Sequence, residues 1–132
     1  VAKNAMIAAG GGSIINTASI AGLGGNPKGM KTIAYNTSKG AVINFTRALA
    51  AEWGSHHIRV NAICPVMGVT GLFEDFMGLP DTPTNRAKFL GTIPLGRFAQ
   101  ASDVAAAAVF LASDAAEFFT GLEMPVDGGR TI

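Results

Sequence analysis

The chain has 132 residues, enough for one compact domain with one core. Its hydrophobic share is 48%, its charged share 14% and its formal charge +1. With no cluster of Lys or Arg it has no electrostatic footprint for nucleic acid or an anionic membrane, and so sparse a charge implies that much of the surface faces other protein. No apolar run approaches the roughly 20 residues of a membrane span, and no charged segment leads into a secretory apolar stretch. With Cys64 as the single cysteine, a cytoplasmic protein in a reducing compartment is expected.

In chain order, residues 1–9 read as the last turns of a helix stopped by Gly10, Gly11 and Gly12. Residues 13–17, with Ile14 and Ile15, have the composition of a buried strand, and residues 20–30 carry the glycines, Asn26 and Pro27 of a loop. Helical periodicity spans residues 32–53, with Val42, Phe45, Leu49 and Trp53 as the expected apolar stripe and Gly54 as the stop. A second strand follows over residues 58–64, ended by Pro65. Strand, helix, strand with short joins predicts parallel strands linked by a right-handed crossover. Residues 68–96 mix Gly, Pro and Thr with Phe73, Phe76, Met77, Leu79 and Phe89, which predicts a long lid or binding loop. A helix is expected over residues 101–112, facing inward with Val104, Ala107, Ala108 and Leu111 and carrying Asp103 in its first turn. A strand over residues 122–126 leads into Asp127, Gly128 and Gly129.

The chemistry centres on Tyr35 and Lys39, four apart and so on one face of the long helix. A phenol is a poor proton donor or base near neutrality until its anion is stabilised. A cation about 5 Å away, at an effective dielectric of about 20, supplies roughly 3 kcal/mol. Such a pair arises by chance on many helices, so its neighbours decide. Ser19 ends the first strand and Pro65 the second, at the sheet edge where open α/β folds bind ligands, with Gly68 and Thr70 just beyond. A serine hydroxyl there can hydrogen-bond a carbonyl oxygen while the tyrosine moves the proton.

At this point the sequence resembles the short-chain dehydrogenases/reductases. SIINTASIAG is similar to that family's strand ending in the catalytic serine, and AYNTSKGAVINFTRALAAEW to its Tyr-x-x-x-Lys helix. IRVNAICP is similar to the next strand, and PLGRFAQASDVAAAAVFLASDAAEFFTG with PVDGG to the closing helix and strand. The resemblance covers essentially the whole chain. It implies the C-terminal strands and helices of a three-layer, Rossmann-type, doubly wound α/β domain with a parallel sheet. By the same resemblance Tyr35 is the acid/base, Ser19 polarises the substrate carbonyl, and Lys39 stabilises the phenolate and contacts the nicotinamide ribose. Pro65, Val66, Gly68 and Thr70 line the nicotinamide side. The implied activity is an alcohol–carbonyl interconversion with NAD or NADP on a small-molecule substrate, and the implied assembly is a homodimer or homotetramer through the long helix and the closing segment.

Several positions depart from that pattern. Pro65-Val66 stands where the family commonly has Pro-Gly, with the glycine displaced to Gly68; Ala18 replaces the first of a serine pair; and the loop between Ser19 and Tyr35 is a few residues longer. The glycine-rich dinucleotide fingerprint has no counterpart, because Gly10 to Gly12 precede a strand instead of joining a strand to a helix. The expectation is therefore the C-terminal part of a single domain, residues 1–132, without its dinucleotide-binding half and inactive by itself. The alternative is a truncated, non-catalytic domain that acts only as an interaction or assembly partner. His56 and His57 fit no zinc spacing, so no metal is expected, and Ser19 lacks the Gly-x-Ser-x-Gly elbow of a hydrolase.

Overall fold

A computed structural model describes residues 1–26, 30–68 and 71–132. Helix α1 (Ala2–Ala8) leads into strand β1 (Gly12–Thr17), and Ser19 opens a short 3-10 turn (Ile20–Gly22). Helix α2 (Ile33–Trp53) precedes strand β2 (Ile58–Pro65). Two short helices follow, α3 (Phe73–Met77) and α4 (Pro83–Leu90), then α5 (Ala101–Ala112) and strand β3 (Glu123–Val126). Among the described residues the strands form one parallel sheet in the order β1-β2-β3.

The strand side chains alternate between two covered faces. Ile58, Val60, Ala62 and Cys64 of β2 meet the α2 side, where Ile43 and Ala50 pack with Ala18, Ile14 and Met6 of α1. Ile63 points the other way, onto Leu111, Val104, Ala107 and Ala108 of α5. Helices thus cover both faces of a parallel sheet, giving the three layers expected from the sequence. Because the strands run in spatial sequence while α2 and α5 lie on opposite faces, the two crossovers have opposite hands. One of them departs from the right-handed connection that parallel strands almost always use.

Two local expectations need correction. The fully buried line of α2 is Ile43, Thr46 and Ala50; Val42, Leu49 and Trp53 of the expected stripe pack half-buried against the core, whereas Phe45 is 55% exposed. Small Ala50 and Thr46 let the helix lie close to the sheet, and the hydroxyl of Thr46 binds the Val42 carbonyl at 2.8 Å while accepting from Asn16 Nδ2 at 3.0 Å. Gly54 stops α2 as expected, in right-handed geometry that runs into a 3-10 turn, and His57 takes the left-handed conformation at φ 57°. Residues 68–96 are not an open loop but hold α3 and α4. Thr82 caps α4 by accepting from the Asn85 N–H at 3.2 Å, with Pro83 preset for the first turn.

Candidate active site

The C-terminal ends of β1 and β2 open into a cleft of about 250 Å³. Ser19, Tyr35, Lys39, Pro65, Val66 and Gly68 all line it, so the structure brings together every proposed site residue that it describes. Thr70 lies outside the described residues.

Each candidate catalytic side chain is held by a different local device. The Ser19 hydroxyl oxygen accepts from the Ala21 N–H at 3.1 Å, closing the 3-10 turn, and Ser19 is only 8% exposed. That turn rests directly on α2: a Cβ at Gly22 would lie 2.6 Å from the Lys39 carbonyl carbon, so glycine alone permits the approach. Lys39 Nζ donates to the Thr17 carbonyl at 3.0 Å, tying the helix to the end of β1, and sits 5.7 Å from the centre of the Tyr35 ring. The start of α2 is pinned by a polar cluster. Asn26 donates to both Thr32 and Asn36, Thr32 Oγ1 donates to Asn36 Oδ1 at 2.8 Å, and Asn36 Nδ2 reaches the Gly24 carbonyl at 3.2 Å. These bonds fasten both described ends of the long Ser19–Tyr35 connection beside the tyrosine.

The departures at Ala18, Val66 and Gly68 acquire physical reasons. Ala18 is buried against Ile43, Ala62 and Cys64, where a second hydroxyl would have to find a partner. Val66 is buried with Phe73, Phe89 and Ile93, making the strand end part of the apolar floor beneath α3 and α4. Gly68 pairs with Ala99 in a parallel bridge, and a Cβ there would come within 3.1 Å of the Ala99 carbonyl oxygen. Beneath the cleft, burial pushes the Cys64 thiol up to about 11, which keeps it protonated and unreactive.

Phe76, one of the aromatics expected in a binding loop, lines the cleft, as do Asn26, Met30, Leu72 and Arg130, which the motifs did not single out. Phe76 meets the Tyr35 ring edge-on at 4.8 Å and closes one wall. Arg130 follows Gly129, and its guanidinium carbon lies 4.4 Å from the centre of the Phe89 ring. Nothing local to Asp127-Gly128-Gly129 tells that the next side chain folds back into a cleft whose other lining residues all lie at least 41 residues earlier in the chain. His56 and His57 join no cluster of three or more potential metal ligands among the described residues.

A parallel three-layer sheet with Ser, Tyr and Lys at one strand-end cleft defines a class of oxidoreductase, and the comparisons agree. The family profile described as "Enoyl-(Acyl carrier protein) reductase" matches residues 1–131. The chain belongs to the short-chain dehydrogenase/reductase family. It is 49% identical over 123 residues to 4-formylbenzenesulfonate dehydrogenase TsaC1/TsaC2 of Comamonas testosteroni, covering 93% of this chain and 48% of that one. The structure of a 3-ketoacyl-(acyl-carrier-protein) reductase from Brucella melitensis complexed with NADH superposes with a TM-score of 0.82 at 40% identity, over 98% of this chain and 49% of the other. A short-chain type dehydrogenase/reductase from Mycobacterium ulcerans superposes with a TM-score of 0.85 at 34% identity, over 98% and 45%. The chain therefore spans about half the length of the relatives it matches.

Proposed function

We propose that this chain carries the proton-handling half of an NAD- or NADP-dependent dehydrogenase that interconverts an alcohol and an aldehyde or ketone. The observation that carries the reading is the convergence of Ser19, Tyr35 and Lys39 on one cleft at the ends of β1 and β2. The Ser19 oxygen already accepts a backbone N–H, which leaves its own proton free to donate to a carbonyl oxygen. Tyr35 delivers its phenolic proton to that oxygen as the carbonyl becomes an alcohol, and takes it back in the reverse direction. Lys39, fixed on the Thr17 carbonyl, supplies the positive charge that stabilises the phenolate left behind.

The donor set fits the nicotinamide and ribose end of the cofactor: an ammonium and two hydroxyls border the apolar surface of Pro65 and Val66. When bound, the nicotinamide supplies or accepts the hydride. Relatives described as complexed with NADH or bearing NADP support this assignment without choosing between the two. For the pyrophosphate the described residues offer no strand, glycine turn and helix start, since Gly10 and Gly11 join α1 to the opposite end of β1. We accordingly assign residues 1–132 to the C-terminal part of one Rossmann-type domain.

Exposed apolar side chains on α2 and α5, Phe45 and Val109, and the 98% exposed Phe118 support self-association as a homodimer or homotetramer. Among the described residues no helix is long and apolar enough to cross a membrane. We take the cytoplasm as the site of action, in keeping with the free thiol of Cys64.

The test is nicotinamide absorbance during reduction of a panel of aldehydes and ketones by the full-length protein. Turnover is expected, and failure with every member under both cofactors would overturn the reading. Expressed alone, the 132 residues should bind neither NAD nor NADP with micromolar affinity in calorimetric titration, and saturable binding would contradict the assignment of the missing half-site.

A further inference from the structure

Arg130 is a charged side chain of the cleft that proton transfer does not use. Its Nη1 is buried and has no hydrogen-bond partner among the described residues. Burial works against the guanidinium charge and Asp127 works for it, but arginine stays protonated in proteins, so the buried donor carries charge. A buried donor without an acceptor destabilises a fold, the more so when it is charged, unless something else satisfies it.

Asp127, the acid whose charge acts on Arg130, is already engaged. Its carboxylate accepts from the Gly129 N–H at 2.9 Å, the Thr131 N–H at 2.9 Å and the Thr131 hydroxyl at 2.7 Å. Those bonds fix the turn that projects Arg130, with Gly128 at φ 63° and its carbonyl accepting from the Leu95 N–H at 3.1 Å. Phe89 covers one face of the guanidinium and leaves its edge as the hydrogen-bonding surface. Among the described residues lining the cleft, Lys39 and Arg130 are charged and none is acidic. Lys39 Nζ donates to Thr17 and lies beside the Tyr35 ring, whereas the buried Nη1 of Arg130 has no hydrogen-bond partner among the described residues.

We propose that Arg130 binds an oxyanion, a carboxylate or sulfonate, carried by the carbonyl substrate, so that the preferred substrates are anionic aldehydes or ketones. This rests on the reading of the cleft as a carbonyl site. The guanidinium fork matches the paired oxygens of such a group, and the apolar walls of Phe76, Phe89, Met67 and Val66 suit the carbon frame between anion and carbonyl.

The experiment compares 4-formylbenzoate with its methyl ester, which differ mainly in charge, as substrates of the full-length protein. Wild type should favour the carboxylate in kcat/KM by about 10- to 100-fold, the effect of a charge-assisted hydrogen bond. Arg130→Met should reduce that ratio to near unity, and Arg130→Lys should retain part of it. An unchanged ratio in Arg130→Met, or no preference in wild type, overturns the proposal. Should Arg130→Met fail to fold by circular dichroism, Arg130→Lys decides, because it keeps the charge but loses the fork: a several-fold smaller ratio is expected, and an unaltered one is fatal. A loss confined to the KM of the nicotinamide cofactor would assign Arg130 to a cofactor phosphate instead and overturn the substrate role. If no aldehyde is reduced, the functional reading fails on its own, and calorimetric titration with benzoate and benzenesulfonate still tests the anion site. Saturable binding that Arg130→Met abolishes supports the site, and absence of binding to wild type refutes it.

Discussion

The floor of the cleft and its lid are built on different principles. The floor, made of β1, the Ser19 turn, α2 and the end of β2, uses polar contacts and a close backbone approach at fixed positions: Lys39 on the Thr17 carbonyl, Ser19 on the Ala21 N–H, and the Gly22 backbone against that of α2. The lid, α3 and α4, is held by aromatic packing, with Phe73 edge-on to Phe89 at 6.3 Å and Phe89 stacked on Phe98 at 5.6 Å. Proton transfer needs atoms placed to a fraction of an ångström, and the floor puts them on rigid elements. Substrate recognition needs a shaped apolar wall, which short helices and aromatic rings supply.

The sharpest way to break the contrast is at Tyr35. In the full-length protein Tyr35→Phe should cut kcat by about 10²- to 10⁴-fold, the usual contribution of a general acid, while keeping the fold and the Phe76 contact. Retention of more than half of wild-type turnover would show that the floor does not move the proton. Gly22→Ala probes the rigidity of the same floor. Its Cβ would press on the Lys39 backbone, so an overpacking loss of about 1–3 kcal/mol is expected in denaturant titration, with turnover reduced as Ser19 shifts relative to Tyr35. Unaltered stability would mean that the Ser19 turn is not seated on α2.

A smaller effect is expected at Asp127, which holds the closing turn beside the lid. Burial raises its carboxyl, but the bonds from Thr131 and Gly129 outweigh that and leave it below the usual carboxylate value. A depressed folded-state value means the stabilisation is complete above the unfolded value of about 3.9 and is lost as pH falls through the lower folded one. Asp127→Asn should therefore cost about 1–2 kcal/mol at neutral pH, with the gap to wild type narrowing below about pH 4 in pH-dependent unfolding curves. A gap independent of pH would assign the loss to packing. The smallest effect belongs to Arg86→Ala. Its ion pair with Asp81, just before α4, is exposed, so the melting temperature should scarcely move; a large drop would make the guanidinium's seat over the Phe73 and Phe98 rings part of the lid's support.

The contrast also explains what the sequence made legible. The floor is local: the strand–helix–strand unit and the Tyr35–Lys39 spacing follow from two periodicities and a four-residue step, and both stand in the structure. Of the expected stripe, Val42, Leu49 and Trp53 pack against the core and Phe45 does not, because close packing on the sheet selects small Thr46 and Ala50 beside Ile43. The segment over α3 carries no legible helical period because α3 has only 5 residues, too few for a period to emerge. The start of α4 does carry a sequence signal, the Thr82-Pro83 cap. Arg130 was beyond any local rule, because its surroundings are assembled by sheet topology from distant parts of the chain.

The central claim is that Tyr35 and Lys39 act as one proton-transfer unit, and a double-mutant cycle on kcat at saturating cofactor measures it. Saturation removes the separate ribose contact proposed for Lys39. Tyr35→Phe combined with Lys39→Met should be little slower than Tyr35→Phe alone, because the lysine charge has no phenolate left to stabilise. Fully additive losses in the double variant would show that the two residues act independently and would contradict that claim.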